Sequence, residues 1–356
     1  MRVGILTYHY TSNYGATLQA YALWKRIKEH GHSVEFIDYR PKRLIMVHLR
    51  HLLTSRRYLP NRHMIANCIK LYRMLKFIHS SVALSKKTAY TRSSLCDYDW
   101  EQQYDVVVCG SDVIWSIDLP SGAGYDLSYF LDFIPDGVHK VSYAASFGPT
   151  TSLGPNQQEI GRLLKRLDAI GVRDENSVRL VSSCGLSAVK VLDPTFLVNY
   201  DEFVVLPKVD KEYILIYGGL KSREKEFIKK IAAHEDLDIL SIGYPNSGIA
   251  NNRLDLKPEE WVGCFAGAAF VFTTTFHGTI FSILFEKPFL TFNRSAIANK
   301  VGDLLSDLDL TSRLIASEGV SELASCLPPR VDFEMVYRRL SKMIATSNSF
   351  LDEALK

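Results

Sequence analysis

Short apolar runs rich in β-branched and aromatic residues recur along the chain, each followed by a polar turn and a stretch with helical spacing. VGILTY (3–8) is the first. The polar turn TSNYG (11–15) follows it, then a helix-like stretch from Ala16 to His30 that stops at Gly31, then SVEFIDY (33–39) as a second strand. Strand, glycine-bearing loop, helix, strand is the pattern of a right-handed βαβ unit in a parallel sheet. The pattern returns at YDVVVCG (104–110), KVSYAAS (140–146), AIGV (169–172) and VKVLD (189–193), with a helix from about Gln157 to Leu167 between two of them. From Pro194 to about Pro207 the chain reads as a domain junction. A second set begins with YILIYGG (213–219), a helix from Ser222 to His234 and DILSIG (238–243). It continues through a helix at Pro258–Gly267, AAFVFTT (268–274), a helix opening at Gly278 and PFLTF (288–292).

These elements predict an α/β fold of two Rossmann-like domains facing a cleft, similar to the glycosyltransferase-B architecture. Residues 1–200 form the first domain, 201–330 the second, and a helix near 333–346 within 331–356 packs back on the first. A length of 356 residues agrees, since one core rarely serves so long a chain. Ligands in such folds bind at the carboxyl ends of the strands.

The segment 40–96 interrupts the alternation. Its leucines and isoleucines have rough helical spacing and read as two amphipathic helices around Pro60. Charge makes it distinctive. The net charge of the chain is +3, yet no acidic residue lies between Asp38 and Asp97, and thirteen Lys or Arg do, from Arg40 to Arg92. The rest of the chain therefore carries about −10. Such a segment is a solvated helical face, a patch for an anionic membrane surface, or a grip on the pyrophosphate of a lipid-linked or nucleotide-linked sugar. Total absence of acid favours an anionic partner, and a membrane bearing lipid-linked sugar is the most economical one. No recognition motif accompanies the charge, which disfavours nucleic acid.

Composition narrows the class further. Hydrophobic residues at 47% and charged residues at 23% are ordinary globular values. The six cysteines are scattered without a CxxC pair, which argues against zinc and a disulfide framework and for free thiols in a reducing cytoplasm. Neither a signal peptide nor a transmembrane run is legible. The expectation is a cytoplasmic protein, peripheral at the inner face of the membrane in the reading above.

Candidate chemistry clusters where predicted strands meet helices. In TTTFHGTIFS (273–282), His277 follows an apolar strand and Gly278 opens a helix, whose free N–H groups form a prepared anion site; Thr279 adds a hydroxyl. A histidine there can donate a proton to a phosphorylated substrate, or merely cap or pack. In GVRDENS (171–177), Arg173 leaves a strand end towards ligand, with Asp174 as the expected N-cap; the bland alternative is an Arg paired on the surface. In VVVCGSDVIW (106–115), Gly110 and Ser111 form the turn, and Asp112 and Trp115 could bond and stack on a sugar, or cap a turn and fill a core. Asn13, Tyr14 and Gly15 sit in the first loop, and Gly218, Gly219 and Lys221 in the corresponding loop of the second half. No dinucleotide fingerprint, P-loop or carboxylate-rich metal pattern appears.

Six strings together resemble the polysaccharide pyruvyltransferase family: GILTYHYTSNYGATLQAYAL (4–23), YDVVVCGSDVIW (104–115), VSYAASFG (141–148), GVRDENS (171–177), VLDPTFL (191–197) and TFHGTIFSILFEKPFL (275–290). The resemblance implies phosphoenolpyruvate as donor and co-substrate, a sugar acceptor with free hydroxyls, no further cofactor, and a pyruvate ketal on a capsular or other surface glycan as product. It also implies that Arg173 binds the donor and that His277 is the essential histidine. Thr275 departs from the family's frequent RxHG pattern, which has an arginine two residues before the histidine.

Two other classes compete. A nucleotide-sugar glycosyltransferase of the same architecture would want a ribose-binding carboxylate at the end of a late strand in the second domain, with Glu286 as the candidate. A catalytically degenerate scaffold for glycan assembly would not need Arg173 and His277.

Overall fold

The computed structural model describes residues 1–46, 60–118, 125–295, 297–316, 319 and 330–356. The chain forms two wholly parallel sheets with interleaved helices, an α/β fold. By its contacts it divides into two compact units. Met1–Thr54, Leu75–Val198 and Ser341–Lys356 make up the first, and Ser55–Met74 with Asn199–Leu340 the second.

From residue 1 to 190 the order of elements is β1 (Arg2–Leu6), α1 (Tyr14–Glu29), β2 (Ser33–Tyr39), α2 (Pro60–Ser81), β3 (Leu84–Ala89), α3 (Arg92–Cys96), α4 (Trp100–Gln103), β4 (Val106–Cys109), β5 (His139–Ala145), α5 (Gln157–Leu164), β6 (Ala169–Val172), α6 (Glu175–Ser182) and β7 (Val189–Lys190); α2 as far as Met74 is assigned to the second unit and the rest to the first. The strands lie in the order β3-β2-β1-β4-β5-β6-β7. Between β1 and β4 the winding reverses, and a parallel sheet opens its ligand crevice at such a switch point. Strand β4 is buried throughout, as expected where both faces of a parallel sheet are covered.

The second unit repeats the plan with β8 (Tyr213–Tyr217), α7 (Ser222–His234), β9 (Asp238–Ile242), β10 (Asn251–Arg253), α8 (Pro258–Ala266), β11 (Phe270–Thr273), α9 (Phe276–Leu284), β12 (Phe289–Phe292), α10 (Ala298–Asp307) and β13 (Leu314–Ile315). Its order is β10-β9-β8-β11-β12-β13, so the switch falls between β8 and β11. The final helix α11 (Phe333–Ala354) begins in the second unit and ends in the first, where Ser347 accepts the Leu192 N–H at 2.8 Å and Phe350 packs near Tyr143.

Two differences from the sequence reading matter here. Helix α1 starts at Tyr14 rather than Ala16, because the Asn13 side chain caps it by accepting from Gly15 and Ala16 N–H. Within the basic segment, α2 opens at Pro60 as expected, but residues 84–89 are an edge strand rather than helix, paired with β2. Residues 47–59, where the earlier part of that helical pair was read, lie outside the described residues.

Candidate functional site

At the carboxyl edge of the first sheet, the ends of β1, β4 and β6 deliver Asn13, Ser111, Asp112 and Arg173. Arg173 is neither open to ligand nor paired on the surface. Its guanidinium is 2% exposed and donates to Asp193 at 2.7 Å and Asp112 at 3.2 Å. Burial alone would ease its proton off, but the two carboxylates more than offset that and hold the group firmly cationic. The triad carries one positive and two negative charges. Asp112, 14% exposed, is the more open partner, whereas Asp193 is fully enclosed. Asp174 caps α6 as expected, accepting from Ser177, and also accepts from the Ser146 hydroxyl.

Other expectations at this edge need correction. Trp115 is fully buried, donates to the Tyr129 carbonyl at 2.9 Å and stacks on Phe130, so it serves the core and cannot offer a face to a sugar. Asn13 spends its side-chain oxygen on the cap, and Tyr14 and Gly15 lie buried in the first turn of α1. Ser111 is buried as well, and its hydroxyl has no hydrogen-bond partner among the described residues.

At the carboxyl edge of the second sheet, His277 occupies the second position of α9, 8% exposed, with its ring edge-on to Phe276. The helix opens two residues earlier than the sequence suggested. Thr275 is its N-cap and accepts the Gly278 N–H at 3.0 Å, so that amide serves the cap and not a ligand. Gly278 is required by space, because a Cβ there would sit 2.0 Å from the Thr273 hydroxyl. The Thr279 hydroxyl is likewise engaged, with the Thr275 carbonyl at 3.1 Å and the Thr291 hydroxyl at 2.8 Å.

The loop after β8 is built against the loop after β11. Gly218 has φ +131°, and a Cβ on it would meet the Thr274 hydroxyl at 2.0 Å. Its carbonyl accepts from Asn246 at 2.9 Å. Lys221 precedes α7 and donates its N–H to Glu224 at 2.7 Å. Glu224, fully buried, in turn holds Arg294 through two bonds of 2.9 and 2.7 Å, and Arg294 also donates to the Gly219 carbonyl. Glu286 lies in the turn leading into β12, at the edge opposite His277, which removes it as a ribose-binding carboxylate.

Sequence reasoning missed several polar groups here. Arg294 follows β12 without any local motif, and only the topology brings it to Glu224 and Gly219. His9, after β1, is buried and contacts Asp38 at 3.0 Å. Asp38 also accepts from Arg40 and Thr88, both at 2.7 Å. Burial would raise the Asp38 carboxyl, yet the bonds from His9, Arg40 and Thr88 hold it well below the usual carboxylate range. A cavity of about 250 Å³ opens where β1 to β4 end, lined by Tyr8, Arg43, Arg92, Tyr125, Asp126 and Tyr129 among others. Its walls come from four separate loops, so no spacing in the sequence announces it.

The sequence model of the family described as polysaccharide pyruvyl transferase matches residues 13–295, most of the chain. The chain belongs to that family. No curated protein sequence matches it significantly. Among solved structures, S. aureus MnaA with UDP is similar at a TM-score of 0.49 and 13% identity, covering 96% of this chain and 90% of the other. The UDP-GlcNAc 2-epimerase of Neisseria meningitidis bound to UDP-GlcNAc gives 0.43 and 12%, over 99% and 98% of the two chains. The E. coli ADP-heptose lps heptosyltransferase II gives 0.41 and 9%, over 97% and 99%.

Within this pyruvyl transferase family member, Thr275 stands where the sequence reading looked for an arginine, and it is occupied as a helix cap. Among the described residues, three arginines of the acid-free segment have carboxylate partners outside it. Arg40, Arg73 and Arg92 pair with Asp38, Asp255 and Asp132, while Lys70 is buried against the Gly243 carbonyl. Burial lowers Lys70 to about 8. Among the described residues there is no cluster of metal-ligating side chains, and no helix is long and apolar enough to cross a membrane. Of the described cysteines, Cys109 and Cys264 are buried thiols, whereas Cys68 and Cys96 are exposed.

Proposed function

We propose that this protein transfers pyruvyl from phosphoenolpyruvate to two hydroxyls of a sugar, forming a ketal and releasing phosphate. The observation that carries the reading is His277 in the first turn of a helix at the switch point of the second sheet, in a chain of this family. The helix start favours an anion beside the imidazole. Protonation of the donor's C3 by His277 makes C2 electrophilic, and one sugar hydroxyl adds there and returns its proton to the imidazole. Phosphate then leaves from C2 with its bonding electrons, and the second hydroxyl closes the ring and gives its proton to the departing phosphate.

Arg173 enters this reading through exchange. Asp112 is the longer and more exposed of its two partners, so a donor carboxylate could replace it while Asp193 keeps the fork oriented. Phosphate released on mixing the protein with phosphoenolpyruvate and a panel of sugar acceptors tests the proposal. Acceptor-dependent phosphate release supports it, and release of a nucleoside diphosphate from a nucleotide sugar instead would replace it with glycosyl transfer. Contact with an anionic membrane is a separate part of the reading. Equal sedimentation with neutral and anionic vesicles would remove it.

A further inference from the structure

We propose that the cavity at the carboxyl edge of the first sheet is a subsite for a single sugar ring bearing a phosphate. The Tyr8 ring gives one side of the cavity an aromatic wall, held edge to face at 4.9 Å by the buried Tyr129. Such a wall suits the C–H face of a pyranose. The Tyr129 hydroxyl is buried and finds no hydrogen-bond partner among the described residues, an arrangement a protein tolerates poorly unless a ligand or water completes it.

Opposite chemistry lies beside it. Asp126 accepts from the Tyr39 hydroxyl at 2.8 Å and from the Ser128 N–H at 3.0 Å, one bond to each carboxylate oxygen. Each oxygen keeps capacity for a second donor, and a sugar hydroxyl fits that need. Arg43 and Arg92 supply the positive side. They come from the two ends of the acid-free segment, so the fold returns both ends of that segment to one cavity. Arg92 gives its Nε and one Nη to Asp132, and among the described residues its other Nη has no hydrogen bond that would keep it from an anion. Aromatic wall, carboxylate and paired arginines together describe a sugar phosphate better than a neutral sugar or a bare anion. At about 250 Å³ the space falls just below the roughly 300–1,000 Å³ of drug-sized sites, which limits it to one ring.

This deepens the pyruvyl transfer reading, and rests on it only in naming the ligand as the acceptor. The phosphate would be the linkage to a lipid or to a nucleotide. Calorimetric titration of the full chain with glucose, galactose and N-acetylglucosamine 1-phosphates tests it, with the free sugars and inorganic phosphate as controls. At least one hexose 1-phosphate is expected to bind roughly tenfold or more tightly than its free sugar and than phosphate. Arg43→Gln and Arg92→Gln should each weaken that binding by about tenfold, and Tyr129→Phe by a few-fold, with the KM for phosphoenolpyruvate unchanged. Adding UDP-hexoses reads the linkage: tighter binding than the 1-phosphate assigns a nucleotide, weaker binding a lipid.

Failure of all three sugar phosphates to bind at millimolar concentration would overturn the subsite. So would binding indifferent to both arginine changes, or inorganic phosphate binding as tightly. The two proposals fail separately. Sugar phosphate bound in the cavity of a protein that releases no phosphate from phosphoenolpyruvate removes the donor and keeps the subsite. Turnover with cavity variants at wild-type acceptor affinity does the reverse.

Discussion

The side chain of Thr275 closes the first turn of α9 by accepting the Gly278 N–H, and an arginine has no acceptor with which to do this. Thr275→Ala should therefore cost about 1 kcal/mol in urea denaturation, the usual worth of an N-cap, and Thr275→Arg should not recover it. His277 lies two residues on in the same turn, and its ring does not hold the cap. His277→Asn should leave the urea midpoint close to wild type while lowering acceptor-dependent phosphate release by roughly 10²–10⁴-fold, as for loss of a general acid. Retained turnover would exclude the histidine from the chemistry. Arg173 behaves differently from what its sequence context suggests. Removing it leaves Asp112 and Asp193 without their cation, and Arg173→Ala should destabilise the fold by about 3–5 kcal/mol besides weakening donor use. Its position at a strand end was readable from GVRD, but its partners stand 61 and 20 residues away, and nothing local ties them together.

Elements with strong apolar runs were legible to within a residue or two. β2, β6 and α7 fall on the expected residues, because buried parallel strands and capped amphipathic helices leave plain patterns. Strand β3 was not legible. Its sequence LSKKTA alternates weakly and carries two lysines, as an edge strand with one bonded side can. The two-residue strands β7 and β13 were equally silent or overdrawn, since VKVLD pairs only through Val189–Lys190. What β3 adds is a polar seam with β2, where Asp38 N–H donates to Ser85 and the Asp38 carboxylate accepts from Thr88. Asp38 keeps its charge in the folded protein at a pH where an unfolded chain would take up a proton near 4. The unfolded state then binds more protons, so this contribution is full above that pH and is lost as pH falls through the lower folded value. Urea midpoints measured from pH 6 down to 3 should fall less steeply in Asp38→Asn than in the wild type. An equal slope would mean that the seam does not hold Asp38 charged.

At the scale of the molecule, the repeated α/β plan was visible from the order of strands and helices, and the parallel sheets bear it out. The assignment of α11 between the units has a consequence for the order of synthesis. Ser341–Lys356 belong to the first unit, and Ser347 satisfies the Leu192 N–H there. A chain ending at Leu340 should therefore keep a protease-resistant second unit and lose resistance in the first. On a ribosome adding about 5–20 residues per second, the stretch from Asn199 to Leu340 occupies roughly 7–30 s. The first unit thus waits, with the Tyr143 side of β5 uncovered, until the second has been translated in full. The part made first is the part finished last, so nascent chains should remain clients of a holding chaperone until residues 341–356 have been made.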